Sequence, residues 1–332
     1  MKYVVYGAGA IGGVVGARLF ESGSDVTVIA RGPHLAAIQR AGLRIESPLG
    51  VESLPIPAVG HSGEIGWDGE HVVLLAVKSH QTQAALSDLV AVAPVATPIV
   101  CLQNGVANEP AALRLFPRVY GVCVMCPAGH LQPGVVQAWS APTTGLLDIG
   151  CHPRGTDDMS EAVAADFEVA TFSARSVTDI RRWKYRKLLT NLANVVEALC
   201  GPDERGSTLV SRLTAEAQTV LDAAGIEVAG ADEDRARRGK LIRLGEIAGR
   251  GRLGGSSWQS LQRGTGNIET DYLNGEITLL GRTHGIPVPA NALLQELARE
   301  AAARQQTPGT LPVGAILERL DRDAASRGGL HG

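Results

Sequence analysis

The chain has 332 residues, 45% of them hydrophobic and 20% charged, a composition typical of a globular protein long enough to build two domains around a substantial core. A formal net charge of −3 supplies no basic excess for nucleic acid. No apolar run has the length of a membrane-crossing helix, so neither nucleic acid nor a membrane is an expected partner.

Tyr3–Tyr6 is a β-branched and aromatic run that reads as a buried strand, and it leads directly into Gly7-x-Gly9-x-x-Gly12 and a helical stretch, Gly13–Glu21. Strand, glycine turn and helix in this order are the setting in which a glycine-rich motif holds a dinucleotide. Gly7 permits the tight turn, Gly9 lets the backbone approach a pyrophosphate, and Gly12 allows close helix–strand packing. Backbone N–H groups across Ala8, Ala10 and Ile11 then face the phosphates at the helix N-terminus. A glycine turn with a packing role only, or a methyl-donor nucleotide site, are the competing readings. Lys2 before the apolar segment 3–17 has a superficial likeness to a secretory signal. Its glycine punctuation fits the phosphate turn instead, cleavage would remove the motif, and a cytoplasmic location is expected.

Val26–Ala30 reads as the second strand and ends at Arg31. An acidic residue there would bind the ribose 2′-hydroxyl of NAD, whereas arginine suits the 2′-phosphate of NADP. Asp25 lies at the wrong end of the strand for the acidic role. Arg31 therefore points to NADPH, with a solvated loop charge as the bland alternative. Further strands are expected at 72–77 and 98–102, and helices at 34–42 and 82–92. This alternation predicts a parallel sheet with helices on its faces.

Residues 119–172 turn β-rich, with strands expected at 145–150 and 168–172. Cys123-Val-Met-Cys126 has the spacing of a redox or zinc half-site, but no second such pair completes it, and the five cysteines are too few and odd in number for a disulfide framework. Cys123 and Cys126 are read as small buried hydrophobes. The histidines show no ligand spacing, and no metal is expected. Past Thr178 the patterns are helical, over 181–199, 207–225, 232–247, 267–284 and 291–304. The fourth stops at Gly285-Ile-Pro287, a glycine end with proline beyond. Domains are expected at 1–176 and 177–305, followed by a partly disordered tail, 306–332, with a short amphipathic piece at 313–320. Arg235, Arg237, Arg238, Arg243, Arg250 and Arg252, among Asp232, Glu233, Asp234 and Glu246, read as a mixed-sign face in solvent.

On a helix, Lys187, Asn191 and Asn194 fall at i, i+4 and i+7 and share one face. Alone they could be a solvated face. Their apolar neighbours Leu188, Leu189, Leu192, Val195 and Val196 argue for burial, and a buried polar row needs partners, for which a ligand is a natural candidate. Glu269 and Asp271 are placed to begin a helix, where the dipole favours carboxylates. A lysine and a carboxylate in one cleft would instead form a proton-donating pair.

The chain resembles the ketopantoate reductase (2-dehydropantoate 2-reductase) family over nearly its whole length. The matching residues are Gly7-x-Gly9-x-x-Gly12, Arg31, Ala76-Val-Lys78, Gln103-Asn104-Gly105, Lys187-x-x-x-Asn191, Ser256-Ser257 and Glu269-x-Asp271-x-x-Asn274-Gly275. The resemblance implies an α/β N-terminal Rossmann-type domain with a parallel sheet and an all-α C-terminal domain, the active site lying in the cleft between them. It implies hydride transfer from NADPH to a 2-oxo acid, with ketopantoate, a precursor in pantothenate biosynthesis, as the leading substrate. Lys187 matches the general acid and Glu269 the acid that orients substrate and lysine. Asn104, Asn191 and Ser257 match substrate contacts, and Arg31 and Lys78 match contacts to the adenosine phosphate. Asn104 also borders the cofactor. The candidate assembly is a homodimer.

Two departures touch the substrate side. Where the family usually has a second asparagine this chain has Val195, its own asparagine lying one earlier, at Asn194. Where the family tends to have an asparagine and a methionine around the second serine it has Gly254 and Trp258. These positions leave open a reductase of the same fold acting on a different 2-oxo acid or related carbonyl. A non-catalytic NADPH-binding redox sensor is the third reading, against which the pairing of Lys187 with Glu269 argues.

Overall fold

The structure, a computed structural model, describes every residue except 250, 252, 253, 265 and 329–332. It divides into two compact units, residues 1–186 with 228–252 and residues 187–227 with 253–332.

The first unit alternates strand and helix from its start: β1 (Lys2–Tyr6), α1 (Ala10–Glu21), β2 (Asp25–Ile29) and α2 (Gly32–Ala41). A hairpin, β3 (Leu43–Ser47) with β4 (Gly50–Leu54), leads to β5 (Ala58–Val59). Then come β6 (His71–Leu75), α3 (Thr82–Val90), β7 (Ile99–Cys101), α4 (Asn108–Leu113) and β8 (Val119–Met125). The short β9 (Ala128–Gly129) and β10 (Val135–Ala138) precede β11 (Gly145–Cys151), α5 (Asp158–Val169) and β12 (Phe172–Ser173). The helix α6 (Ile180–Asn191) carries the chain across the boundary, which falls between Arg186 and Lys187.

The strands form an eight-stranded sheet in the order β12-β11-β8-β7-β6-β1-β2-β5. β1 pairs parallel with both β2 and β6, in register Val4↔Thr27 and Val4↔Val73, and only β11 runs antiparallel to its neighbour β8. Val4, Val5, Val73 and Leu74 are fully buried, as strands covered on both faces must be, and near-continuous apolar runs encode this better than alternation does. A second, four-stranded sheet, β4-β3-β10-β9, stands apart. The Rossmann-type unit is as the sequence implies, with the β3–β4 hairpin as an addition that the sequence does not announce: β4 is mostly exposed and has no apolar alternation.

The second unit is helical. It contains α7 (Ala193–Cys200), α8 (Thr208–Ala223), then, after α9 (Ala231–Arg238) of the first unit, α10 (Ser256–Gln262), α11 (Asn274–His284), α12 (Pro289–Ala303) and α13 (Val313–Gly328). Leu209, Leu213, Ala217, Val220 and Leu221 form the buried stripe of α8, the three- and four-residue spacing of a helix packed on one face. Asn291, fully buried, donates to Leu213 O and Glu216 Oε2 at 3.1 and 2.9 Å. The Glu216 carboxylate in turn accepts the N–H groups of Ala290 and Asn291 and so caps α12 from α8.

Several expected elements differ. The expected strand 168–172 is the end of α5, because Asp157 caps that helix through the N–H of Ser160 at 2.8 Å and starts it well upstream; only Phe172–Ser173 is extended. The helix read over 232–247 stops at Arg238, where Gly239 takes a φ of +48°. The following chain returns to pair Leu244 with Ser140. Its arginines are not all in solvent: Arg237, 7% exposed, makes a bidentate bond of 2.8 and 2.7 Å to Asp148, itself enclosed in β11. Arg250 and Arg252 lie outside the described residues. The expected helix 267–284 is a 3₁₀ turn, Glu269–Tyr272, followed by α11, with the break at Leu273. In the tail, the amphipathic piece extends as α13 over Val313–Gly328; its glycine-rich end, 329–332, lies outside the described residues.

Candidate active site

In the first unit, β1, β2, β6 and β7 run parallel and so end on one edge of the sheet. The loops leaving that edge carry Gly7–Gly12, Arg31, Lys78 and Asn104, each immediately or nearly after its strand. The carboxyl ends of parallel strands are where such sheets bind ligands.

Gly7 has a φ of +106°, and a Cβ there would lie 2.9 Å from Val77 Cγ1 and 3.0 Å from Val77 N, so both the backbone and the neighbouring loop require glycine. A Cβ on Gly12 would strike Gly7 O and approach Ala76 Cβ to 2.8 Å. Gly9, by contrast, has nothing within 4 Å of such a Cβ and faces open space. It is also the N-cap of α1, whose first turn, with Ala10 and Ile11, has neither a side-chain cap nor an acidic residue. An uncapped helix N-terminus beside an open glycine suits an anionic pyrophosphate, because its N–H groups and dipole both favour negative charge. The chain therefore fits a bound dinucleotide at this turn.

Ala8 is buried, and its carbonyl oxygen lies 2.7 Å from His34 Nε2. The Gly134 N–H donates to His34 Nδ1 at 2.8 Å, which makes Nδ1 the acceptor and assigns the ring proton to Nε2. His34 is thus a neutral brace between α2 and the glycine turn, and burial pushes its pKa down.

Arg31 is the N-cap residue of α2 and is exposed. Its Nη2 donates at 3.2 Å to both Tyr6 Oη and Asp88 Oδ2, and Tyr6 Oη donates to the same carboxylate oxygen at 2.6 Å. Burial, followed by the Asp88 hydrogen bond, pushes the Tyr6 phenol up to about 12. The guanidinium is therefore held in place while most of its surface stays accessible.

Lys78 and Asn104 are both half-buried on adjoining loops. Gln103 Nε2 donates to Val77 O and to Thr82 Oγ1, each at 2.8 Å, and Thr82 Oγ1 donates to Asn108 Oδ1 at 2.8 Å. Asn108 Nδ2 donates to Asn104 O and Ser79 Oγ at 3.1 and 3.2 Å. The network fixes the two loops to each other. Beneath them, Lys184 on α6 forms a buried ion pair with Glu109 on α4 and donates to Gln103 O at 2.9 Å. Neither Lys184 nor Glu109 carries a motif, and nothing in their spacing separates them from surface charges.

In the second unit, Lys187 is half-buried and Asn191 buried on the last turn of α6. The single helix expected over 181–199 is divided at Leu192, so Asn194 falls in the first turn of α7. Asn194 Oδ1 accepts a bond of 3.1 Å from Arg205 Nη1, which also pairs with Glu197. Glu197, 5% exposed, accepts the Gly255 N–H at 2.9 Å, pinning the chain just before α10 onto α7. Ser257, also buried, sits in the first turn of α10. Glu197 could have been suspected, since a charge inside Val195-Val196-Glu197-Ala198-Leu199 interrupts an apolar run.

Glu269 is 6% exposed and opens the 3₁₀ turn. The other residues of its motif serve as scaffold. Asp271 Oδ1 accepts from Gln295 Nε2 and Arg299 Nε at 2.8 and 2.6 Å, and Asn274 Nδ2 donates to Asn291 Oδ1 at 3.1 Å. A Cβ on Gly275 would lie 2.6 Å from Gln295 Nε2. Together they tie the turn carrying Glu269 to α12. Arg263 feels the Glu269 charge, although burial is the larger influence and lowers its pKa.

The profile of the family described as "Ketopantoate reductase PanE/ApbA" matches residues 3–154, and that of "Ketopantoate reductase PanE/ApbA C terminal" matches residues 179–302. A 2-dehydropantoate 2-reductase of Pyrococcus horikoshii is 30% identical over 305 residues, covering 90% of this chain and 97% of its own. One from Mesorhizobium japonicum is 30% identical over 345 residues, covering 92% and 99%. Among solved structures, a PanE/ApbA family ketopantoate reductase from Ralstonia eutropha superposes with a TM-score of 0.75 at 27% identity, over 92% of this chain and 99% of its own. A D-mandelate dehydrogenase solved with NADH and anilino(oxo)acetate shares the fold, with a TM-score of 0.77 at 22% identity and coverage of 92% and 99%.

Proposed function

The chain belongs to the ketopantoate reductase family, and from that premise we propose that it reduces 2-dehydropantoate to pantoate with NADPH. It is an oxidoreductase acting on a CH–OH group. The observation that carries the cofactor half of the reading is the turn Gly7–Gly12, open over Gly9 and backed by the uncapped N-terminus of α1. The turn would hold the pyrophosphate, and Arg31 with Lys78 the adenosine phosphate. When bound, the reduced nicotinamide supplies the hydride.

The remaining chemistry falls to the second unit. As the keto carbon gains hydride, its oxygen becomes an alkoxide, and Lys187 gives it a proton, so that 2-oxo acid, hydride and proton yield the 2-hydroxy acid. The lysine ammonium suits this because it stabilises the developing charge before releasing the proton. Glu269, enclosed on its turn, holds the lysine toward the oxygen or accepts a hydrogen bond from a substrate hydroxyl. Asn191, Asn194 and Ser257 supply polar contacts to the oxo acid.

The test is NADPH oxidation with ketopantoate, repeated with Lys187→Ala. Loss of a general acid lowers kcat by roughly 10²–10⁴, while NADPH binding measured by fluorescence titration persists. A folded, NADPH-binding variant with normal turnover removes Lys187 from this role.

A further inference from the structure

Gly254 and Trp258 occupy two positions at which the chain departs from its family, and the structure makes them a single departure. The φ of Gly254 is +55°, a left-handed conformation that asparagine tolerates better than other side-chain-bearing residues. The backbone alone would thus accept the family's asparagine. The indole prevents it: a Cβ on Gly254 would lie 2.5 Å from Trp258 Cγ and 2.6 Å from Cδ2. Any side chain at 254 requires Trp258 to move. On its C-terminal side the chain is pinned, because the Gly255 N–H is bonded to the buried Glu197, and a Cβ there would meet Glu197 Oε2 at 2.8 Å. Asn194, the displaced asparagine of the family pattern, has its side-chain oxygen engaged by Arg205, and Val195 is buried as an apolar residue. Ser257, between the two departures, remains in place in the first turn of α10.

We infer that Trp258 is a specificity-determining residue: its indole covers the position at 254 and puts an apolar surface where the family pattern has an amide, so the enzyme takes 2-oxo acids with a wholly hydrocarbon side chain at least as readily as ketopantoate. This rests on the functional reading above and names the substrate class within it. The chemistry is unchanged: the hydride goes to the keto carbon and the proton to its oxygen. What changes is the recognition of the substrate's far end. A site built to hydrogen-bond a substrate hydroxyl rejects the analogue lacking it by about 10⁴-fold or more, whereas an apolar wall discriminates weakly.

The decisive pair of substrates is ketopantoate, which is 4-hydroxy-3,3-dimethyl-2-oxobutanoate, and its deoxy analogue 3,3-dimethyl-2-oxobutanoate. They differ by one hydroxyl. Steady-state NADPH oxidation by the full chain should give the analogue a kcat/KM equal to or above that of ketopantoate. The double variant Gly254→Asn with Trp258→Met should move the ratio at least tenfold toward ketopantoate. Gly254→Asn alone should melt at a lower temperature than the double variant, because the indole is then forced off its seat. Trp258→Met alone adds no side chain at 254, and it should lower the analogue's kcat/KM severalfold relative to that of ketopantoate. A wild-type preference for ketopantoate of more than tenfold, or a ratio unmoved by both Trp258→Met variants, overturns the inference and leaves the functional reading standing. A protein that binds NADPH and reduces neither compound overturns both.

Discussion

Replacing Arg31 by alanine isolates the cofactor half of the proposal. The guanidinium sits at the C-terminal end of β2, 64% exposed, with Tyr6 Oη and Asp88 Oδ2 each 3.2 Å from Nη2. An ion pair this exposed contributes about 0–1 kcal/mol to stability, so the variant should fold and melt close to the parent. Its loss should appear in binding. A hydrogen bond between arginine and a charged acceptor is worth roughly 1.5–3 kcal/mol, and each 1.4 kcal/mol is about tenfold in affinity. One such bond to the 2′-phosphate therefore predicts NADPH weakened by about ten- to a hundredfold. NADH offers only a hydroxyl at the same place and should lose almost nothing.

Asp88 sharpens the same experiment. Its carboxylate and the Tyr6 phenol hold the guanidinium in one orientation, and preorganisation of this kind raises affinity by removing an ordering cost. Asp88→Asn keeps a hydrogen-bond acceptor and removes the charge, so NADPH binding should change far less than in Arg31→Ala. Fluorescence titration with both cofactors, repeated over a range of ionic strength, provides the comparison. Equal losses for NADPH and NADH in Arg31→Ala would refute the reasoning and return Arg31 to the status of a loop charge.

Three other outcomes follow from the geometry. Glu109→Gln leaves the Lys184 ammonium buried with only carbonyl partners and should cost about 3–5 kcal/mol in urea unfolding, most of it recovered when Lys184→Met is combined with Glu109→Leu; a single-variant loss under about 1 kcal/mol would mean that the pair is well hydrated. Burial holds the His34 pKa below the ordinary imidazole value, so its contribution to stability is fully present above about pH 6.5 and declines as pH falls toward the lowered folded value. Denaturation midpoints across that window should slope less in His34→Gln, and an unchanged slope would exclude the brace. Glu269→Gln should affect kcat and KM together if the carboxylate orients substrate and lysine, and an effect on KM alone would confine it to substrate binding.

The cofactor half of the molecule was legible because its chemistry is local. The Gly7–Gly12 turn is written in consecutive residues, and each glycine answers a contact or an opening within its own strand–turn–helix unit. The sheet could be read because strands buried on both faces appear as unbroken apolar runs. The misreadings share a different cause. The end of α5 reads as a strand because the helix start depends on one capping bond at Asp157, while α9 reads too long because its stop rests on a single glycine, Gly239, and its arginines read as solvent-facing. Arg237 is instead the counter-charge to Asp148, a residue far away in sequence. Such pairs leave a trace on one side only: Asp148 in Leu-Leu-Asp-Ile and Glu197 in Val-Val-Glu-Ala interrupt apolar runs, while Arg237 and Arg205 do not.

A charge set in an apolar run is therefore a demand for a partner whose address the sequence withholds, and at Glu197 that demand holds the chain that leads into Ser257. Glu197 fixes Gly255, and through it the position at which Trp258 covers Gly254. The motif residues name the reaction. The role proposed for Trp258 would set the substrate range one layer out, in residues that no motif contains, which is why a family resemblance carries the hydride and the proton to this chain with more force than it carries the substrate.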